Sequence, residues 1–170
     1  MSNVPKGERN QSKQEFDAIH YRIHDEAVNM IELNFHAKKE IAEQNQDYIR
    51  AAGKSLMASV WELVFHIKVA NSLYPTTPEE LTERRIAQDK AIGVCFQILT
   101  LYEMVLHKLK VKDDLGVVEI KTLRHQINAI KSWRSSDNKR FKAETGSQRE
   151  EDAYCKADQR VYVFAGKIQT

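Results

Sequence analysis

Apolar side chains recur at steps of three and four through most of this chain, the spacing that lines them up on one face of an α-helix. The first stripe is Phe16, Ile19, Ile23, Ala27, Met30, Leu33, Ala37 and Ile41, and it fades at EQNQD, residues 43–47, where Asn45 suits a short turn. A second runs Ile49, Ala52, Leu56, Val60, Leu63, Ile67, Ala70 and Tyr74 and closes at Pro75. Trp61, Val64 and Phe65 widen it, which predicts a helix buried on more than one side. Gly53 sits inside this helix at a cost of about 1 kcal/mol relative to alanine, unless close packing offsets it.

TTPEEL carries the clearest start signal in the chain. Thr77 falls at N-cap, Pro78 at N1 and Glu80 at N3, which makes a capping box with proline where its missing N–H does no harm. The stripe behind it is Leu81, Gln88, Ala91, Cys95, Ile98, Tyr102, Val105 and Leu109, flanked by Ile92, Leu99 and Leu106. KVKDDLG, residues 110–116, is the next break, with Asp113 or Asp114 as the expected N-cap. The fourth helix carries Val117, Ile120, Leu123, Ile127, Ile130 and Trp133.

Four such helices with short connections predict an all-α, up-down-up-down four-helix bundle over residues 14–141. Residues 1–13 read as a disordered arm and residues 142–170 as a polar linker and tail. In that tail VYVF, residues 161–164, fits a short strand, a docking helix end or an interaction tag.

Composition sets limits without choosing a function. A chain of 170 residues, 29% charged and 42% hydrophobic, suits one globular domain. The segment from Thr82 to Thr170 has no proline, which favours long helices. Cys95 lies in an apolar stripe and Cys155 in a polar tail, with no CxxC pair or His/Cys cluster. That pattern reads as two unpaired thiols in a reducing cytoplasm. MSNVPKGERNQSKQ has no apolar signal-type run and no stretch approaches 18 apolar residues, so neither a secretory signal nor a membrane span is expected.

Enzymatic patterns are missing. Di-iron bundles use Glu-x-x-His, whereas Glu32/His36, Glu62/His66 and Glu103/His107 are spaced by four, as ordinary surface pairs are. His20 and His24 share a face but HExxH and a third ligand are lacking, which favours a solvated face over a zinc pair. No arginine is followed by a histidine four to six residues on, a pattern often seen in helical ribonucleases. There is no phosphate loop, no GxSxG and no Cys–His signature. The expectation is a non-enzymatic protein without metal or cofactor.

Charge geometry is the remaining signal. Formal net charge is only +2, yet from Lys121 to Lys142 seven cations face the single acid Asp137. They are Lys121, Arg124, Lys131, Arg134, Lys139, Arg140 and Lys142, and Trp133 sits among them. Lys108, Lys110 and Lys112 add charge at the end of the third helix, at the opposite end of the fourth from Trp133 in an up-down bundle. Two readings fit. Cations near a helix C-terminus complement its dipole. Alternatively, Lys and Arg around a partly exposed Trp neutralise phosphates and offer a stacking surface. Trp133 itself, three residues after Ile130, also fits a residue closing the core.

The runs LMASVWELVFHIKVAN, LYPTTPEELTERRIAQDKAIG and INAIKSWRSSDNKR together resemble a group of small bacterial four-helix-bundle proteins linked to retroelements. That group includes the accessory variability determinant of diversity-generating retroelements, and the likeness extends to bundle proteins encoded in ribosomal RNA intervening sequences. It covers about residues 14–141. The resemblance implies a homo-oligomer, a pentameric barrel with a basic surface. It further implies a non-catalytic accessory role, binding a reverse transcriptase and its RNA or cDNA. Carried onto this sequence, the nucleic-acid surface would comprise Arg124, Lys131, Trp133, Arg134, Lys139, Arg140 and Lys142, with Arg84, Arg85 and Lys90 as a secondary set. The alternative is a protein-interaction adaptor of a phage, mobile element or defence system.

Overall fold

The computed structural model describes residues 6–112 and 116–165, and side chains over residues 19–112 and 116–142. Regular structure among the described residues is entirely helical. The helices are α1 (Lys6–Glu32), α2 (Lys39–Gln44), α3 (Gln46–Ser72), α4 (Pro78–Lys108) and α5 (Val117–Ala165), with a 3-10 turn at Asn34–His36. The expected all-α, bundle-like architecture is present. The chain divides into two compact units, with the boundary between Ser132 and Trp133.

In the first unit the stripes become the core. Residues Ile49 through Ala70 of the second stripe and the whole of the third are buried. Of these, Ile49 through Ile67 and Ala91 through Leu109 join Ile19, Ile23, Ala27 and Met30 from α1 and Leu123, Ile127 and Ile130 from α5 in one apolar cluster. Burying a Leu- or Ile-sized side chain contributes about 1.5–3 kcal/mol, so this cluster dominates the stability of the unit. Polar ties run across it: Gln97 Nε2 donates to Ser59 Oγ at 3.1 Å between α4 and α3, and Thr122 Oγ1 donates to Glu26 at 2.9 Å between α5 and α1.

Gly53 lets α1 and α3 approach. A Cβ built there would lie 3.3 Å from both Cγ atoms of Ile31. The close packing that the sequence required is therefore present. The start of α4 also follows its sequence, since Thr77 and Glu80 form both arms of the capping box. Asn45 separates α2 from α3, and its Nδ2 donates back to the Ile41 carbonyl at 2.8 Å.

Three expectations need correction. The first stripe does not form one helix, because the backbone turns left-handed at Asn34, Phe35 and His36, with φ of 49°, 54° and 60°. The reason is Phe35, which lies off the stripe and is nevertheless fully buried once the helix breaks. Leu33, on the stripe, is exposed instead. A left-handed residue costs roughly 1–2 kcal/mol, less for Asn, and burial of the Phe35 ring offsets about 1.5–3 kcal/mol of that. Second, Trp61 and Phe65 do not widen the core; they are exposed on the far side of α3 from Leu63 and Ile67. Tyr74, beyond the end of α3, is exposed as well. Third, His20 is buried, so the pair His20/His24 is no solvated face.

The outer boundaries also differ in extent. Helix α1 starts at Lys6, and residues 1–5 of the expected arm lie outside the described residues. Helix α5 passes through the expected linker and VYVF to Ala165. Residues 143–158 contain no proline and many Ala, Glu, Gln, Lys and Arg, which favour a helix over a linker. Asp113 and Asp114, the expected N-caps, lie outside the described residues, and α5 is preceded by Gly116 at φ 94°.

Candidate nucleic-acid interface

The basic cluster is divided between the two units. In the first, α5 turns Leu123, Gln126, Ile127 and Ile130 inward. Lys121, Arg124 and Lys131 fall on the outward arc and are exposed. Arg124 and Lys131 are seven residues apart, about two turns or 10 Å along the axis, so both project from one face.

In the second unit Lys139, Arg140 and Lys142 are exposed, while Trp133 and Arg134 are half-buried. Lys139 and Lys142 stand three apart on one face. Asp137, the sole acid of the run, is buried, with Arg140 Nη2 at 3.6 Å from its carboxylate. Arg140 thus divides its charge between Asp137 and solvent. The outward side of this segment presents cations and no acid.

All these residues lie well inside α5, whose C-terminus is at Ala165. A dipole effect fades within the last turn of a helix. Complementing a helix end therefore does not account for the cations at 121–142. Trp133 is neither fully buried nor fully exposed.

The secondary set on α4 separates. Arg84 is buried, and its Nη1 donates to the Leu73 carbonyl at 2.6 Å, just past the end of α3. It is a structural cap and is removed from the candidate surface. Arg85 is half-buried and Lys90 is exposed.

Sequence reading overlooked two further features. The first is the Arg84 cap, which no local pattern signals because its acceptor lies eleven residues back across a loop. The second is a set of exposed aromatics: Tyr21 on α1 and Trp61 and Phe65 on α3 are each more than 60% exposed, with Trp61 edge-on to His24 at 5.6 Å. A helical wheel gives a signal for it, since Trp61 and Phe65 are one turn apart and opposite Leu63 and Ile67.

The Glu/His pairs carry no built chemistry. The α1 break falls between Glu32 and His36. Glu62 and His66 approach to 3.7 Å as a surface pair. Glu103 and His107 line a shallow groove with Tyr48, Met104 and Lys108. Among the described residues no three His, Cys, Asp or Glu side chains are grouped to hold a metal, and no helix is long and apolar enough to cross a membrane.

No protein-family model, curated protein or solved structure matches the chain.

Proposed function

We propose that this protein is a non-catalytic, nucleic-acid-binding accessory factor of the diversity-generating retroelement type, acting in the cytoplasm with a reverse transcriptase and its RNA or cDNA. In this reading α1, α3, α4 and α5 are the four helices of an up-down bundle, and several copies assemble as a homo-oligomer. The observation that carries it is the inside-out sorting of charge on α5. Lys121, Arg124, Lys131, Lys139, Arg140 and Lys142 are exposed while the only acid among them is buried. Taken unit by unit, such cations neutralise phosphates without reading bases, which gives steep salt dependence and little sequence preference. Half-buried Trp133 adds a ring on which a base can stack.

The test compares RNA binding at two salt concentrations for the wild type and for Lys131→Ala/Arg134→Ala/Lys139→Ala/Arg140→Ala, with native mass measured alongside. The reading stands if the wild type binds and the variant loses affinity and salt slope at unchanged mass. It fails if neither protein binds RNA at low salt.

A protein-interaction adaptor is the second reading, favoured by the exposed trio Tyr21, Trp61 and Phe65. Aromatic residues are enriched at protein interfaces, and Trp61 and Phe65 are exposed one turn apart on α3. Under that reading, Trp61→Ala/Phe65→Ala abolishes partner capture, and the salt dependence is weak.

A further inference from the structure

We propose that residues 33–38 form an exchange hinge through which α1 leaves the core of its own chain and takes the same seat in a second copy. Two independent observations meet at this segment. The apolar stripe Met30, Leu33, Ala37, Ile41 runs through it at uninterrupted helical spacing, with no glycine or proline to stop a helix. The backbone nevertheless breaks there through three consecutive left-handed residues, Asn34, Phe35 and His36. The local sequence thus favours a continuous helix from α1 into α2, and the fold imposes a strained turn.

Phe35 holds the turn closed. On a straight helix it would point away from the stripe and into solvent, whereas in the broken form it is fully buried. Straightening would relieve the left-handed backbone, unseat Phe35 and swing α1 away from its own α3. The face of α1 formed by Ile19, Ile23, Ala27 and Met30 then needs cover. The surface that fits it is the one it has left, presented by another copy. In the exchanged pair the close approach of Ile31 to Gly53, the Thr122–Glu26 hydrogen bond and the His24–Trp61 ring contact all re-form between chains. Only the hinge differs between the two states, which is the condition under which exchange of an identical element is cheap.

The test uses the full chain with Cys95→Ala and Cys155→Ala as background and Ile31→Cys/Gly53→Cys as a reporter pair. Samples are refolded at low and high protein concentration, oxidised and run on a denaturing, non-reducing gel. Each single reporter substitution gives the background band. Exchange links two chains, whereas an oligomer of unexchanged copies links each chain to itself. Homo-oligomerisation as such is thereby read separately, from native mass. The expected result is a two-chain band that grows with refolding concentration. Asn34→Ala/Phe35→Ala/His36→Ala, which favours helix and removes the anchor, raises it severalfold. Asn34→Gly/His36→Gly, which accepts the left-handed turn without strain, lowers it severalfold. The proposal is overturned if the wild type gives no two-chain band above background at any concentration. It is equally overturned if the glycine pair leaves the wild-type band unchanged, a comparison that holds even should the triple-alanine chain fail to fold.

Discussion

Gly53 faces Ile31 so closely that a methyl group added to the glycine would stand 3.3 Å from two side-chain carbons of the isoleucine. This contact sets the approach of α1 to α3. Alanine at position 53 would gain about 1 kcal/mol of helix propensity and lose a comparable amount to crowding, since Ile31 is β-branched and stiff at χ1. Gly53→Ala is therefore expected within about 0.5 kcal/mol of the wild type, and Gly53→Leu about 1–3 kcal/mol below it. Adding Ile31→Ala should recover part of that loss. Denaturant unfolding of the four chains checks this, and a Gly53→Leu protein as stable as wild type would refute the close approach.

The α4 start makes a pH prediction. The Glu80 carboxylate accepts from the backbone N–H of Thr76 at 2.7 Å, the Thr76 hydroxyl at 2.7 Å and the Thr77 N–H at 3.1 Å. These bonds, the Thr76 N–H foremost, hold its ionisation below the usual carboxylate range. A carboxyl depressed in the folded state stabilises the protein above the unfolded value and ceases to do so as pH falls through the folded one. The wild type should lose stability on that acid limb, and Glu80→Gln should show a shallower one. Thr77→Ala removes the reciprocal arm, at a cost of about 1 kcal/mol at every pH. Thermal unfolding as a function of pH measures both.

Much of this fold was legible in the sequence because its helices are amphipathic and its one strong cap is local. The second and third stripes named core positions correctly, from Ile49 to Ala70 and from Leu81 to Leu109. Two of the failures, at Phe35 and Arg84, share a physical cause. Phe35 breaks α1 through a tertiary contact that no window of sequence contains. Trp61 and Phe65 are as hydrophobic as core residues, yet the wheel puts them outside. Arg84 resembles its exposed neighbours until the end of α3 is brought against it. For the candidate interface, sequence located the cations and the single acid. That Asp137 is buried while Lys139 and Lys142 are not depends on packing.

At alkaline pH the core should weaken. Burial pushes the Cys95 thiol up to about 12, and burial, followed by the nearby Glu119 and Glu26 charges, raises the Tyr102 phenol. Both groups stay protonated in the folded state at pH values where the unfolded chain has released the proton. Unfolding is therefore favoured as pH rises, and for Cys95 the loss falls between about 9 and 12. Cys95→Ala should flatten that part of the alkaline limb. At pH 8, in a Cys155→Ala background, a thiol reagent should modify Cys95 only as fast as the protein unfolds. Immediate labelling of the folded protein would contradict the burial.

The two halves of the basic cluster can be weighed one against the other. Arg124→Ala/Lys131→Ala alters only the first unit and Lys139→Ala/Lys142→Ala only the second. All four side chains are exposed, so each double variant should stay within about 0.5 kcal/mol of wild-type stability. Arg84→Ala, by contrast, strips a buried donor from the Leu73 carbonyl and should cost about 1–3 kcal/mol. Each phosphate contact to a single strand contributes about 0.7 to the slope of log affinity against log salt, so losing two lowers it by about 1.4. A matching drop in both double variants means that both units hold the strand. A drop in one alone confines the interface to that unit. Unchanged slopes in both would leave the α5 cations as a solvated face and transfer the functional weight to Tyr21, Trp61 and Phe65.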